Sequence, residues 1–554
     1  MRKKTEEYLK TAAEVYCILL FVLLPLYMRD GFYMIGDVKY QFFRNVTVMF
    51  CVLLSALQFL WRISGGGEGA AGRLSWTDMM MLGYLAASLL SFGFSMDRPT
   101  ALWGFSGWHM GFFSQFLFVW AYFALSRCGF FIRPIICKTV SASANGDTHP
   151  PGNNFQTCSG TEMIPVEKVI WYCFLCVWIV MSVAVMNRYV YDPLGTLRGM
   201  EPGSWDAEHL LSTIGNQNWY CGYLSVAASA CFYLGYVGEK YRKAAGLAGS
   251  LLVFLTILTQ GSESGYLIPL GMMAVLLPDA LGSRKKLLRF CSITLCCPAA
   301  ALLGVQGIRL RGLVLVEDGS LRRVLFWKGW AALFALSGIA VLVLAFREKR
   351  GKKDYLESGK LKKAAGLAGG ILAAAAMAVF ILCQVSDRIW MALGEKSLLR
   401  ITDGWGNDRG ALWRMSLEYF MQSPLYRKVF GAGPDCFYHA VYSVFAVNDI
   451  IHPTGQWETA VYANAHNEWL NMLVNQGRMG LACYAGIFIT GFVRLWRARR
   501  RCKEAYWGIL AIAGYCLHGA VSFQQTTSTP LIFAVLGISE AMLRARPGFA
   551  PEEP

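Results

Sequence analysis

Three segments in the last third of the chain carry side chains that could move a proton or hold an anion. The first is Ala465-His466-Asn467-Glu468-Trp469-Leu470. A histidine at the start of a helical pattern titrates near neutral pH and can take a proton from a hydroxyl. Asn467, its neighbour, can orient the ring. The plain alternative is a structural imidazole bonded to a carbonyl. The second is Gly406-Asn407-Asp408-Arg409-Gly410-Ala411-Leu412-Trp413-Arg414. Arg409 falls in the first turn of an expected helix, where free N–H groups and the helix dipole favour an anion. A guanidinium there can grip phosphate through two parallel hydrogen bonds. A solvated arginine, or one bound to lipid headgroups, fits the same position. The third, Gly431-Ala432-Gly433-Pro434-Asp435-Cys436-Phe437, reads as a tight turn whose glycines could let backbone approach a ligand closely.

The elements that must position these groups are mostly apolar. Of the 554 residues, 55% are hydrophobic and 16% charged, against about 25% charged in a typical soluble domain. Apolar runs long enough to cross a bilayer, roughly 17–25 residues each, recur along the chain. They centre on 14–28, 44–61, 77–95, 110–126, 169–187, 217–237, 244–260, 264–281, 288–306, 325–346, 364–384, 479–495, 506–521 and 529–543. In lipid a helix satisfies its own backbone polar groups, so run length carries weight. The alternating pattern of a membrane barrel is absent. The expectation is an all-α integral membrane protein of about fourteen transmembrane helices. Eleven fall in 1–384, with an insertion at 127–168; a large outer loop fills 385–478; three helices follow in 479–554.

Lys and Arg set the orientation. They crowd at Arg2–Lys10, Lys240–Lys243, Arg284–Arg289, Arg347–Lys363 and Arg494–Lys503, which places both termini in the cytoplasm. The net charge of +16 therefore lies beside membrane spans, where anionic lipid headgroups are the expected partner and nucleic acid is not. The first apolar run leads into Met28-Arg29-Asp30 without a small-residue cleavage site, and so reads as a span. Most of the 17 cysteines fall inside spans as small hydrophobes. Cys173 and Cys176 make a CxxC with no second pair and no nearby histidine, which favours packing over a metal.

Unlike the insertion at 127–168, which is rich in Ser, Gly, Pro and Asn, the 385–478 loop is loaded with aromatics. A long loop of that composition is usually functional. It is expected to form short amphipathic helices. One spans 409–422, capped by Asn407 or Asp408 and halted at Ser423-Pro424. A second runs from 436 to 446, and a third begins near Asn464 and carries His466.

The order Arg-x-x-x-Trp, Pro-Leu, Gly-x-Gly-Pro-x-x-Phe, then His-Asn-x-x-Leu with Gly-x-x-Gly resembles the O-antigen ligase and polymerase superfamily, bacterial membrane glycosyltransferases of C-type architecture. Gly215-Asn216-Gln217-Asn218-Trp219 is similar to that family's Gly-Asn motif, and Trp103–Gly111 to its second outer loop; Gly31–Lys39 is a fainter match. One departure is Thr259-Gln260-Gly261-Ser262-Glu263-Ser264-Gly265, where Glu263 stands at a place often held by arginine. A carboxylate at the membrane edge needs a partner or water, so Glu263 is either a second acid/base group or a partner for a loop arginine. His439 and His452 are weaker candidates for lining an acceptor cleft.

The resemblance implies transfer of a glycan from a polyprenyl-diphosphate carrier to an acceptor on the outer face of the bacterial plasma membrane. Arg409, with Arg414, would meet the diphosphate, and His466 would serve as base or orient the acceptor, supported by Asn467. Trp413, Gly431, Gly433, Gly215, Asn216 and Glu263 would line the substrate. No metal or cofactor is implied. The acceptor is a glycan, wall polymer or protein for a ligase, or another lipid-linked repeat for a polymerase; motif similarity leans towards ligase. A rival of another class is a transporter or flippase of lipid-linked sugar, whose signature would be charge or broken helices at mid-membrane depth. Here the polar cluster sits in an outer loop.

Overall fold

The computed structural model describes residues 2–64, 73–128, 166–189, 191–201, 204–311, 323–351, 360–394, 399–445 and 462–545. Most of the 127–168 insertion, His452 and the end of the expected 436–446 helix lie outside the described residues.

The apolar runs become helices, because a lipid-facing backbone must bond within itself. They are α1 (Arg2–Leu26), α2 (Ile35–Ile63), α3 (Trp76–Gly93), α4 (Phe112–Ser126), α5 (Val166–Arg188), α6 (Gln217–Val237), α7 (Tyr241–Thr259), α8 (Leu267–Ala280), α9 (Arg284–Arg311), α10 (Trp330–Lys349) and α11 (Lys360–Val385). The outer loop contributes α12 (Arg409–Gln422), α13 (Leu425–Phe430) and α14 (Phe437–Tyr442), and the chain closes with α15 (Glu468–Ala498), α16 (Ala505–His518) and α17 (Thr529–Arg544). Each of the fourteen expected runs falls on a helix. Among the described residues, eight helical segments (α1, α2, α5, α6, α7, α9, α10 and α15) are long and apolar enough to cross a membrane. The described residues hold one sheet, a two-stranded ribbon pairing Leu210–Leu211 with Gly215–Asn216. This is an all-α, multi-pass membrane protein.

Polar side chains gather in two layers. At the end that carries the basic runs, Asp279 accepts from Tyr236 at 2.9 Å, Tyr506 at 2.7 Å and Lys286 at 3.0 Å. Asp78 accepts from Tyr122 at 2.8 Å and Arg127 at 3.2 Å, and also from Arg544. Removing one partner from such a buried cluster would strand a charge, which costs far more than the pair itself contributes.

A second layer lies deeper, beneath the opposite end. Tyr84 donates to Gln115 at 2.7 Å, Gln115 to Gln524 at 3.0 Å, and Gln524 to Tyr484 at 3.1 Å. Tyr484 in turn donates to Glu468, the first residue of α15. This network ties α3, α4, α15 and the 519–528 turn together, and fixes where α15 begins.

α15 is interrupted at Gly477, whose φ of 67° and ψ of −169° are open essentially to glycine alone. Gly431, at φ 82° and ψ −170°, shares that region and packs directly against it. The kink frees carbonyls of α15, and the loop takes them up. Ala432 N–H donates to Val474 O at 3.0 Å, and Gly433 N–H to Asn475 O at 2.9 Å. Sequence patterning separates a loop helix starting near Asn464 from the 479–495 span. The structure joins them as one kinked helix, because the loop backbone satisfies what the kink exposes. Met96 N–H then donates to Ala432 O at 2.7 Å, pinning the same turn to the end of α3.

An added methyl at Gly477 would lie 2.7 Å from Gly431 N, and the backbone there would cost about 1–3 kcal/mol for any other residue. Gly477→Ala is therefore expected to lower the thermal midpoint of the detergent-purified protein by several degrees. Gly338→Ala, whose methyl meets nothing within 4 Å, should leave it in place. Equal melting of the two variants would remove the seam as an anchor.

Candidate functional site

His466 sits in the turn just before α15, with a left-handed φ of 46°. The turn is held from both sides. His466 N–H donates to Asn464 Oδ1 at 3.0 Å, and Glu468 N–H donates to Gly519 O at 2.8 Å, joining it to the end of α16. The imidazole meets Phe523 edge-on, with ring centroids 5.0 Å apart. No hydrogen bond occupies either ring nitrogen among the described residues. Burial, and then the positive charge of Arg409, hold the imidazole down to about 3. At neutral pH the ring is therefore uncharged and keeps a lone pair for a proton.

Asn467 departs from the ring-orienting role expected of it. Its Oδ1 accepts from Trp469 N–H and Leu470 N–H, both at 3.1 Å, and so caps α15. Phe523 and the strained turn position the ring instead.

Arg409 opens α12. Asp408 occupies the N-cap position in a left-handed conformation (φ 64°) and makes no side-chain capping bond. Arg409 Nη1 donates to Gly406 O at 2.6 Å, while its buried Nε–H has no partner. Burial pulls its pKa down and the nearby Glu263 carboxylate opposes this; the group remains cationic. Glu263 itself is exposed. Electrostatics therefore brings Arg409, His466 and Glu263 into one neighbourhood, which also reaches His518. His518 is almost fully buried, and its Nε2 has no partner.

A second arginine, outside every motif of the sequence, lies near the same helix ends. Arg188, the last residue of α5, donates to Gln260 O and, at 3.5 Å, to Gln217 Oε1; its buried Nε–H is unpartnered. Arg188 and Arg409 both lie within electrostatic reach of Cys221. The available signal was a lone arginine at the end of α5 away from the basic runs, against the usual charge bias of membrane proteins.

The Gly-Asn segment works as a support. Gly215 has φ 96°, and an added Cβ would press on Ile35 at 3.0 Å. Asn216 Oδ1 accepts from Asn218 N–H at 2.8 Å and caps α6. Asn218 does the reaching: its Oδ1 accepts from Ser262 Oγ at 2.7 Å, beside Glu263. Gly431 and Gly433 likewise meet protein where a ligand was considered. They face the kink of α15, and an added Cβ on Gly433 would lie 2.6 Å from Ser95 Cβ.

Arg414 is spent elsewhere. It holds Asp403 through two hydrogen bonds of 2.9 Å each and Glu418 at 3.2 Å, on an exposed face. That pairing raises its pKa and draws Asp403 below the usual carboxylate range. Trp413 leans on Trp405 at 5.1 Å, with its buried Nε1–H unpartnered. His439 lies 3.3 Å from Thr100 Oγ1 and 3.8 Å from Asp97, which ties α14 to the loop after α3.

The neighbourhood of Arg409 offers a guanidinium with an unmet donor and a neutral imidazole, and Arg188, with another unmet donor, shares Cys221 with it. Such a set can hold an anion and take a proton in the same space. A family model described as O-antigen ligase matches residues 328–485. That stretch includes Arg409, the Gly431–Gly433 turn, His466 and the Gly477 kink, so the resemblance carried by the motifs is borne out there. No curated protein matches the chain.

Because its pKa is depressed, the neutral form of His466 persists as pH falls until about 3. An imidazole of ordinary pKa, about 6.5, is only a few per cent neutral at pH 5. Diethyl pyrocarbonate attacks only the neutral ring. Mass spectrometry should find the His466 peptide modified as fast at pH 5 as at pH 7. A drop of tenfold or more at pH 5 would contradict the depressed value.

Proposed function

We propose that this O-antigen-ligase-like protein transfers a glycan from a polyprenyl diphosphate to an acceptor hydroxyl, in the pocket that holds His466, Arg409 and Arg188. The observation that carries this reading is a neutral imidazole with open nitrogens within electrostatic reach of a guanidinium whose buried N–H lacks a partner. Buried donors without partners are rare and costly, and a diphosphate oxygen would satisfy them.

The acceptor O–H gives its proton to His466 as its oxygen bonds to the anomeric carbon. The bond from that carbon to the diphosphate oxygen breaks, and inversion follows from attack on the opposite face. Negative charge gathers on the departing diphosphate, so arginines placed there stabilise the transition state more than the ground state. The imidazolium formed lies in the field of Arg409, which favours passing its proton on and resetting the base. Glu263 offsets the Arg409 charge while no donor is bound.

The site lies at the end of the helices away from the basic runs, and the positive-inside rule then turns it away from the cytoplasm of a bacterial plasma membrane. A long lipid tail would leave the pocket between helices into the bilayer. The acceptor is a glycan, wall polymer or protein for a ligase, and another lipid-linked repeat for a polymerase. Loss of this chain should leave finished glycans on the carrier if it is a ligase, and only short lipid-linked units if it is a polymerase.

His466→Ala should insert normally and abolish transfer. Arg409→Ala, which removes one donor to the leaving group, should slow transfer about 10²–10³-fold. Transfer at wild-type rate by His466→Ala, measured in membranes of a deletion strain, would overturn the base assignment.

A further inference from the structure

Beside the candidate pocket stands a row of aromatic rings that the reaction chemistry leaves unused. Phe523, edge-on to His466, is met at 90° by Trp108 with centroids 4.7 Å apart. Trp108 lies 5.5 Å from Trp219. Both indoles are half-buried, so each keeps part of its surface open.

The loop that presents Trp108 is held more firmly than an outer loop needs for its own sake. Asp435, buried in the turn after Gly433, accepts from Phe105 N–H at 2.7 Å and from Met110 N–H at 2.9 Å, clamping both flanks of Trp108. His109, next in sequence, has a left-handed φ of 55°; its Nε2 lies 2.7 Å from Asp37 Oδ1, and its ring stacks on Tyr40 at 4.2 Å. Four interactions from α2 and the 431–437 turn thus fix one tryptophan against the ring that touches the base. Asp435 belongs to the segment seamed to α15, so the indole and the imidazole are set by the same scaffold.

We propose that the Trp108–Phe523–Trp219 wall is the subsite that receives the acceptor, and that the acceptor end it binds is a pyranose ring. The inference rests on the glycan-transfer reading above. A pyranose has an apolar C–H face and a polar hydroxyl rim. An aromatic wall beside a few polar groups fits that combination, since aromatic rings bring large apolar area and strict geometry. Among the ring contacts of the described residues the wall meets the base, and neither arginine stacks on it, which assigns it to the acceptor and not to the diphosphate end of the donor. A sugar stacked there would bring a ring hydroxyl towards His466.

The test uses the full-length protein, an acceptor fraction extracted from membranes of a strain deleted for this chain, and the glycolipid donor fraction from the same membranes. Trp108→Ala should raise the apparent KM for the acceptor fraction tenfold or more, with kcat within threefold and donor KM unchanged. Trp108→Phe, which keeps an aromatic face, should stay within threefold of wild type. Trp108→Leu, which keeps apolar bulk without that face, should behave as alanine does and serves if the alanine variant fails to fold. Mild periodate, which cleaves vicinal diols of sugars, should destroy the acceptor fraction, and protease should not.

An unchanged acceptor KM in a folded alanine or leucine variant would overturn the proposal, as would a rise in donor KM instead. Acceptor activity that survives periodate but is lost to protease would replace the sugar with a protein. A silent Trp108 alongside an inactive His466→Ala sinks the wall alone; an active His466→Ala sinks the reading beneath it.

Discussion

Backbone fixes the outer loop to the membrane helices. Gly431 and Gly477 occupy the same glycine-only region and press against each other, and the amides of residues 432 and 433 take the carbonyls of residues 474 and 475. Two amide-to-carbonyl bonds in a protected seam define a register, because sliding by one residue would bring side chains where only hydrogen atoms fit. Everything placed by the loop inherits that register. Upstream, α13 ends into the seam; downstream, Asp435 clamps the Trp108 loop. Nine residues before the kink α15 begins, and with it the His466 turn.

Away from the site, several buried charged groups are matched to partners. Asp78 and Asp279 gather several donors each, and Glu468 is tied through Tyr484 into a chain of amides and hydroxyls that reaches α3. Lys39 is fully buried, yet its ammonium meets the carbonyls of Leu24, Pro25 and Tyr27 at 3.1, 2.9 and 2.9 Å. In lipid such pairing is close to obligatory. Unpartnered buried polar atoms occur at several places among the described residues, and the Nε–H groups of Arg188 and Arg409 and the Nε2 of His518 are among them. Both arginines act on Cys221, and Arg409 also acts on His518.

Much of this was legible in the sequence. Long apolar runs mark helices because bilayer thickness dictates their length, and Ser423-Pro424 marked the end of α12 because a residue before proline resists the helical conformation. The types that could do chemistry, His466 and Arg409, lie within electrostatic reach of each other. Other features depended on long-range partners. Asn467, expected to orient the ring, caps instead because α15 starts one residue later. Arg414 could reach inward, but Asp403 and Glu418 hold it on the exposed face. The union of a loop helix with a span across Gly477 required knowing that the N–H groups of residues 432 and 433, far away in sequence, would donate to the kink's carbonyls. Arg188 lay in no motif, and only the fold shows what it faces.

The shared pocket of residues 409 and 466 is the claim on which the functional reading stands. A double-mutant cycle on transfer rate addresses it directly, using the mild changes Arg409→Lys and His466→Gln so that every corner stays measurable. Groups acting on one transition state lose less together than the product of their separate losses. The geometry predicts a combined loss at least tenfold smaller than that product. Losses that simply multiply would mean that the imidazole and the guanidinium act independently, and would contradict a single site.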